Sequence, residues 1–473
     1  MSRDELCELD IADVARLLRE RQLSPVELTD AYLERIERLD PSLNAYIRVM
    51  PEQARAAASQ AEHDIGEGRW RGPLHGVPVG IKDLLDVAGV PTTMGSIVLR
   101  DNVPDHDATV VSHLRAAGAV ILGKHNLHEF AFGITSENPH FGAVHNPWSL
   151  DRVPGGSSGG TAAAVAAGLC AGGLGSDTGA SIRAPASFCG VVGLKPTYGR
   201  VSRAGALPLA WSLDHVGPLA RSVADCALLL QAIAGHDPRD HASATLPVPD
   251  FSAELGRGVA GLRVGVPREH FFEVVEPDVE RLVREAIRTL EQLGAQVDEV
   301  SLPHVTHAQA AGNVIMSSEA AAWHHGWLRE RPQDYGSDVL QRIRGGLLVH
   351  ATDYLHSQQM RTLIQQDFAR AFERADVVVG PTVPLVAPPI GRTFEPGGPL
   401  NVPPRAVANR TTVPCNLTGM PAISVPCGFS QGLPVGFQIM GAAFSEPLVL
   451  RVAATYEGAT AWRQRRPSLQ AVS

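Results

Sequence analysis

The chain has 473 residues, 44% of them hydrophobic, and a formal net charge of −9; that is ample for a large core and argues against a nucleic-acid partner, which favours a basic surface. Its six cysteines (Cys7, Cys170, Cys189, Cys226, Cys415 and Cys427) stand at no CxxC spacing and read as scattered thiols, which excludes a disulfide or zinc framework. The charged start MSRDELCELD has no apolar signal segment and the alanine-rich run 161–169 is too short to span a bilayer, so a cytoplasmic protein with no membrane partner is expected.

Residues 10–65 read as helical: Ile11, Val14, Ala15 and Leu18 recur at helical spacing, and Ser24 caps a helix with Pro25 at its first position. Pro41 is expected to interrupt that stretch. Residues 77–81 read as a strand, 106–117 as a helix and 119–122 as a buried strand. After two glycine-rich segments, residues 222–234 form a helix, 262–266 a strand, 278–293 an amphipathic helix closed by Gly294, and 296–300 a strand. Long helices follow at about 308–331 and 352–374. Residues 377–379 read as a strand, 381–404 as a loop, and 421–426 with 434–440 as a closing strand pair. Strands alternating with helices predict an α/β fold with a mostly parallel or mixed sheet. No repeat, low-complexity tract or composition break divides the chain. One domain over 1–473 is expected, with N-terminal helices at about 10–65, a core at about 72–217 and a helical cover at about 304–375.

Three segments carry chemistry. GVPVGIKD places Lys82 after an apolar run, VPGGSSGG spans 153–160, and GSDTGASIR spans 175–183. Glycine-rich loops let backbone approach a reacting atom closely. A lysine with two serines can activate a serine nucleophile without histidine. The small-residue loop before Ser181 can aim backbone N–H groups at an anion, although TGAS alone is more often a simple turn. GGSSGG before a helix suggests a phosphate-binding loop, but the lysine such a loop needs is replaced by Thr161. Lys82 would have to be neutral to act as a base. Burial favours that, and Asp83 and Asp86 would oppose it if close. The bland alternative is a strand-end lysine reaching solvent.

These residue types, their spacings and their flanks resemble the amidase signature family, hydrolases of C–N bonds. The resemblance spans 18–467, is densest over 72–217, and includes LKPTYGRVSRAG at 194–205 and NLTGMPAISVPCGF at 416–429. It implies a single large α/β domain, a mixed β-sheet flanked by helices on both faces. It implies Ser181 as nucleophile, Ser157 after a cis peptide as proton relay, and Lys82 as base. The backbone N–H groups of Thr178, Gly179, Ala180 and Ser181 would form the oxyanion hole. Asp177 and Arg183 would orient the loop, with Ser158 in the same network. Ala180 departs from the family's usual glycine. Its methyl costs on the order of 1 kcal/mol if φ is positive, and otherwise narrows the pocket.

EFAFG at 129–133 resembles the family's substrate-bordering loop. Phe130, Ala131, Phe132, Gly133 and Ile134, with Ile315 and Trp323, are expected to line an apolar pocket. No arginine or lysine stands out there as a carboxylate clamp. The expected substrate is therefore a small uncharged amide or carbamate with an apolar or aryl group, which would make the enzyme an amidase or urethanase. No cofactor and no metal are expected: His125, His128 and Glu129 fit neither HExxH nor HxxEH, and adjacent His324 and His325 cannot face one ion from a helix. A homodimer is compatible with the resemblance. The alternative is the glutaminase subunit of a tRNA-dependent amidotransferase. That subunit's YDGVRYG-type stretch is absent from NVIMSSEAAAWHHGWLRERPQDYG at 313–336, which favours a free-standing enzyme.

Overall fold

Short runs of small and branched apolar residues build most of the sheet. The computed structural model describes residues 1–393, 395–396 and 399–469. In chain order its strands are β1 (Tyr46–Val49), β2 (Pro78–Lys82), β3 (Val120–His125), β4 (Glu137–Asn138), β5 (Gly142–Ala143), β6 (Gly172–Asp177), β7 (Val192–Lys195), β8 (His215–Ala220), β9 (Arg263–Pro267), β10 (Gln296–Val300), β11 (Val377–Pro381), β12 (Ala422–Ser430) and β13 (Leu433–Gly441). β4 and β5 form a ribbon of their own. The others make one sheet in the order β1-β3-β2-β6-β8-β7-β12-β13-β11-β9-β10. β2 runs parallel to β3 and β6, β9 runs parallel to β10 and β11, and the pairings from β6 through β8, β7, β12 and β13 to β11 are antiparallel. The sheet is mixed, as expected. β2, β3 and β6 are buried along their whole length; β2 and β3 read as apolar runs ending in a polar residue, and β6 as a run of glycines around Leu174 that lets its neighbours pack close.

Two short helices sit against the middle of this sheet. Gly159–Ala166 and Arg183–Cys189 pack on one another and are wholly buried. Small residues make that possible. A Cβ on Gly160 would stand 2.3 Å from the Asn126 carbonyl and 2.5 Å from that of Ala45. Farther along, Pro277–Gln292 turns a stripe of Val279, Leu282, Val283, Ala286, Ile287 and Leu290 onto β11, β12 and β13. Ala308–Glu330, Ser337–Gly346 and Ala351–Arg374 form the helical cover.

The architecture departs from the sequence expectation in three places. The stretch 10–65 is three helices (Ile11–Arg19, Pro25–Leu43 and Pro51–Gly66) with β1 inserted before the last. β1 is short and lies at the sheet edge, where four residues give too little pattern to read. Pro41 does not interrupt its helix but lies in the last turn, which ends at left-handed Asn44. The Asp40 carboxylate accepts from the N–H groups of Ala45 and Tyr46 and closes that turn. Ser337–Gly346 is a separate helix between the two long ones. The closing strand pair is a hairpin, β12 to β13, turned at Gln431 and Gly432, both at positive φ.

Candidate active site

Two strand ends and two glycine-rich loops meet at one point. Lys82 is the last residue of β2, and its Nζ donates to Ser157 Oγ at 2.7 Å, Ser158 Oγ at 2.8 Å and Ser176 Oγ at 2.9 Å. β2 and β6 are parallel neighbours, so Lys82 and Ser176 arrive side by side. Ser176 does not stand out in the sequence. Its signal is its place in GSDTG at the end of a glycine-rich strand. The glycines there make room: a Cβ on Gly175 would stand 2.8 Å from Ser158 Oγ, and one on Gly173 2.8 Å from Thr161 Cγ2.

Lys82 is fully buried, and burial holds its pKa well below the usual lysine value; the charges of Asp177 and Asp214 partly oppose the shift. Asp83 does not face Lys82 in this way. It pairs with Lys124 at 2.9 Å and accepts from Thr93. Among the described residues the amine therefore has three hydroxyl partners and no carboxylate partner; in its neutral form it keeps two of these as donor and turns its lone pair to the third, the Ser157 hydroxyl, as a base must.

The loop holding Ser157 is fixed by backbone and side chain together. Gly155 has φ +85°, and the Gly156–Ser157 peptide is cis. The Ser157 carbonyl accepts from the His128 N–H at 3.2 Å and the Ser136 hydroxyl at 3.3 Å.

Thr178 to Ser181 link β6 to the helix Arg183–Cys189. Among the described residues, the N–H groups of Gly179, Ala180 and Ser181 meet no protein acceptor, so they are free to receive an anion. Ala180 is not among the residues at positive φ, so its methyl carries no left-handed strain. The loop is pinned from both ends. Thr178 Oγ1 donates to Asp214 at 2.6 Å. Asp177 Oδ2 accepts from the N–H groups of Ile182 and Arg183 and from Arg183 Nε.

Arg183 is completely buried and satisfied. Beyond its fork on Asp177, it donates to the Thr412 carbonyl, Gln438 Oε1 and Asn416 Oδ1 at 2.7–2.9 Å. Asn416 returns two bonds to Asp177. The Arg183 charge and these hydrogen bonds hold Asp177 well below the usual carboxylate range, against its burial. Gln438 gives no sequence signal, because a buried glutamine on an apolar strand is visible only in three dimensions.

A cavity of about 70 Å³ opens onto Ser181. Its walls include Ala131, Phe132, Gly133 and Ile134, together with Gly156 and Thr178 to Ser181. Phe130, Ile315 and Trp323 lie elsewhere. Phe130 is buried against Trp323, His324 and Tyr335, and Ile315 is buried in the cover. The expectation of a wall without arginine is overturned: Arg342 and Arg405 line this cavity with Asn313, Met316 and Asn409. Both arginines reach Asp338, at 3.0 and 2.9 Å. They come from Ser337–Gly346 and Pro404–Val407, short helices the sequence pattern does not reveal.

The amidase family model matches residues 27–450. The chain belongs to the amidase signature family. It is 46% identical to the A subunit of the glutamyl-tRNA(Gln) amidotransferase of Moorella thermoacetica, over 98% of this chain and 99% of that one. The solved structure of the corresponding Thermotoga maritima protein superposes with a TM-score of 0.81 at 38% identity, covering 96% of this chain and 95% of that one. A structure of a vestigial complex tied to the origins of an s-triazine catabolic enzyme superposes at 0.91 with 36% identity, covering 95% and 98%. Like these relatives, the chain is an enzyme acting on C–N bonds. Among its described residues, no helix is long and apolar enough to cross a membrane.

Proposed function

We propose that this amidase signature hydrolase is of the glutaminase type: it cleaves the carboxamide of a small, carboxylate-bearing substrate such as glutamine, as the glutaminase subunit of a tRNA-dependent amidotransferase. The observation that carries this reading is Arg342 and Arg405 in the cavity that Ser181 lines. Guanidinium groups recognise carboxylates by paired hydrogen bonds, and the small cavity favours a short acyl chain. Close identity to glutamyl-tRNA(Gln) amidotransferase proteins over nearly the whole chain supports the same reading. With a net charge of −9, contact with tRNA is expected to run through partner subunits.

In the proposed reaction, neutral Lys82 draws the Ser181 proton through Ser157 as Ser181 Oγ attacks the amide carbon. The N–H groups of Thr178, Gly179, Ala180 and Ser181 receive the oxyanion. Ser157 returns a proton to the nitrogen, the C–N bond breaks, and water hydrolyses the acyl-Ser181 ester. Ser158 and Ser176 hold the Lys82 amine in line, and the Asp177–Arg183 pair holds the loop.

A second reading is a free-standing amidase or carbamate hydrolase. One observation favours it: among the described residues the cavity wall has no aspartate or glutamate to meet glutamine's ammonium. The deciding experiment compares kcat/KM for glutamine and a neutral aryl amide, with and without the other amidotransferase subunits. Glutamine should be preferred, and more so in the complex. Preference for the aryl amide by the chain alone would replace the first reading with the second.

A further inference from the structure

One acid stands behind both arginines of the catalytic cavity. Asp338 lies in the first turn of the helix Ser337–Gly346 and does not itself line the cavity. Its Oδ1 accepts from Arg342 Nε at 3.1 Å and from Arg405 Nη1 at 2.9 Å, and its Oδ2 lies 3.0 Å from Arg342 Nη2. Arg342 is thus gripped along one edge. Its guanidinium carbon also lies 5.7 Å from the centroid of the Phe132 ring, another part of the wall. Among the described residues, no protein group accepts from Arg342 Nη1.

Two neighbouring residues tie this acid to the reaction centre. His128 Nε2 faces Asp338 Oδ2 at 3.7 Å, while the His128 N–H donates to the Ser157 carbonyl. The His128 ring crosses the cavity wall so closely that a Cβ on Gly133 would stand 2.1 Å from Nε2. Next in the chain, Glu129 is completely buried. Its Oε1 accepts from Ser96 Oγ at 2.7 Å and His140 Nε2 at 2.8 Å. Its Oε2 accepts from the Gly336 N–H at 2.9 Å, at the start of the helix that carries Asp338 and Arg342. A Cβ on Gly336 would stand 2.7 Å from that oxygen, so the contact needs glycine there.

We propose that Asp338 is a positioning residue for substrate recognition: it holds Arg342 and Arg405 as one fork on the cavity wall, and His128 and Glu129 set that fork's distance from Ser157. This rests on the carboxylate-bearing substrate proposed above. Two guanidinium groups converging on about 70 Å³ repel one another, and an acid between them offsets that repulsion. Burial acts to raise the Asp338 pKa, yet His128 and Arg342 hold it well below the usual carboxylate range, so the acid is ionised. It grips Arg342 from behind and leaves the cavity side of that guanidinium to the substrate. A fork already aimed loses less freedom on binding than two long, free side chains, so Asp338 acts on KM and not on kcat.

The test uses the full chain, with the other amidotransferase subunits present, and three amides. These are glutamine, 4-carbamoylbutanoate (glutamine without its amino group) and pentanamide, which has neither charge. Asp338→Asn should raise KM for the two carboxylates by about tenfold or more, with kcat and the pentanamide reaction within about threefold. Asp338→Glu keeps the charge and should recover most of that loss. In an Arg342→Ala/Arg405→Ala background, Asp338→Asn should change kcat/KM by less than about twofold, because no fork is left to hold. Gly336→Ala pushes the helix start off Glu129 and should raise the same two KM values by about threefold or more. It decides the matter if Asp338→Asn does not fold. Unchanged KM values, or an equal loss on all three amides, would make Asp338 merely structural. A loss confined to glutamine would make it the ammonium's partner, and a fall in KM would make it a mask over the arginines. Each of these overturns the proposal and leaves the glutaminase reading standing. Wild-type preference for pentanamide over both carboxylates defeats that reading, and the proposal with it.

Discussion

The two walls of the catalytic cavity are built on different plans. The sheet-side wall comes from strand ends and the loops directly after them, and its charged groups, Lys82, Asp177 and Arg183, are completely buried with every bond internal. The cover-side wall is gathered from separate segments, and the side chains of Arg342 and Arg405 remain 26% and 36% exposed. Bond chemistry depends on geometry held to a fraction of an ångström, which a close-packed core supplies. Substrate choice depends on which side chain a surface helix happens to present. The first wall tolerates almost no change, whereas the second can be altered without disturbing the first.

That contrast can be broken experimentally. The largest effect is expected from Ser181→Ala, a loss of about 10⁴-fold or more in kcat, with an unchanged melting temperature. Single-turnover kinetics would check it, and retention of a tenth of the activity would remove Ser181 from the nucleophile's role. Lys82→Met should also abolish turnover, and with it the limb of the pH–rate profile that rises as the amine deprotonates. It should behave oppositely in stability. Because burial lowers the Lys82 pKa, the native chain binds fewer protons than the unfolded one between the lowered and the usual lysine pKa. Wild-type stability should therefore rise with pH through that window. The methionine variant lacks that slope and should melt higher at neutral pH, as scanning calorimetry across pH would record.

Arg183→Met should cost roughly 3–5 kcal/mol in urea unfolding, because it strands the buried Asp177 carboxylate. Asp177→Asn combined with it should recover part of that. Equal losses in the single and double variants would show that Asp177 does not depend on its partner. On the other wall, Arg342→Ala should raise KM for glutamine about tenfold to a hundredfold, with little change in melting temperature. A neutral amide should respond far less. The smallest effect belongs to the surface: Arg281→Ala removes an exposed pair with Glu285 at 3.1 Å and should shift stability by no more than about 0.5 kcal/mol.

The same division explains what the sequence could reveal. Lys82, Ser157 and Ser181 are legible because each sits in a short motif whose glycines record a close approach, and strands such as β2, β3 and β10 are legible as apolar runs or alternation, whereas β6, GGLGSD, has too many glycines to show either. Arg342 and Arg405 are not legible. Each is an ordinary arginine with no motif around it, and only the packing of Ser337–Gly346 and Pro404–Val407 over Ser181 gives it meaning. Phe130 and Trp323 mislead for the converse reason. Large apolar side chains near a motif bury themselves in the core unless something keeps them out. Pro41 misleads locally, since proline in a last turn removes little that the helix would have used.

Pairing of β2 with β6 has a consequence for how the molecule comes into being. Lys82 and Ser176 are 94 positions apart in the chain, and Arg183 closes its network on Gln438 another 255 positions on. Contacts of such long range are reached late in folding. A nascent chain still lacking its final strands holds the nucleophile, the relay and the base, yet nothing clamps the loop between them. The growing polypeptide should therefore stay chemically silent during most of its synthesis, and first turnover should mark the moment when the C-terminal hairpin seats.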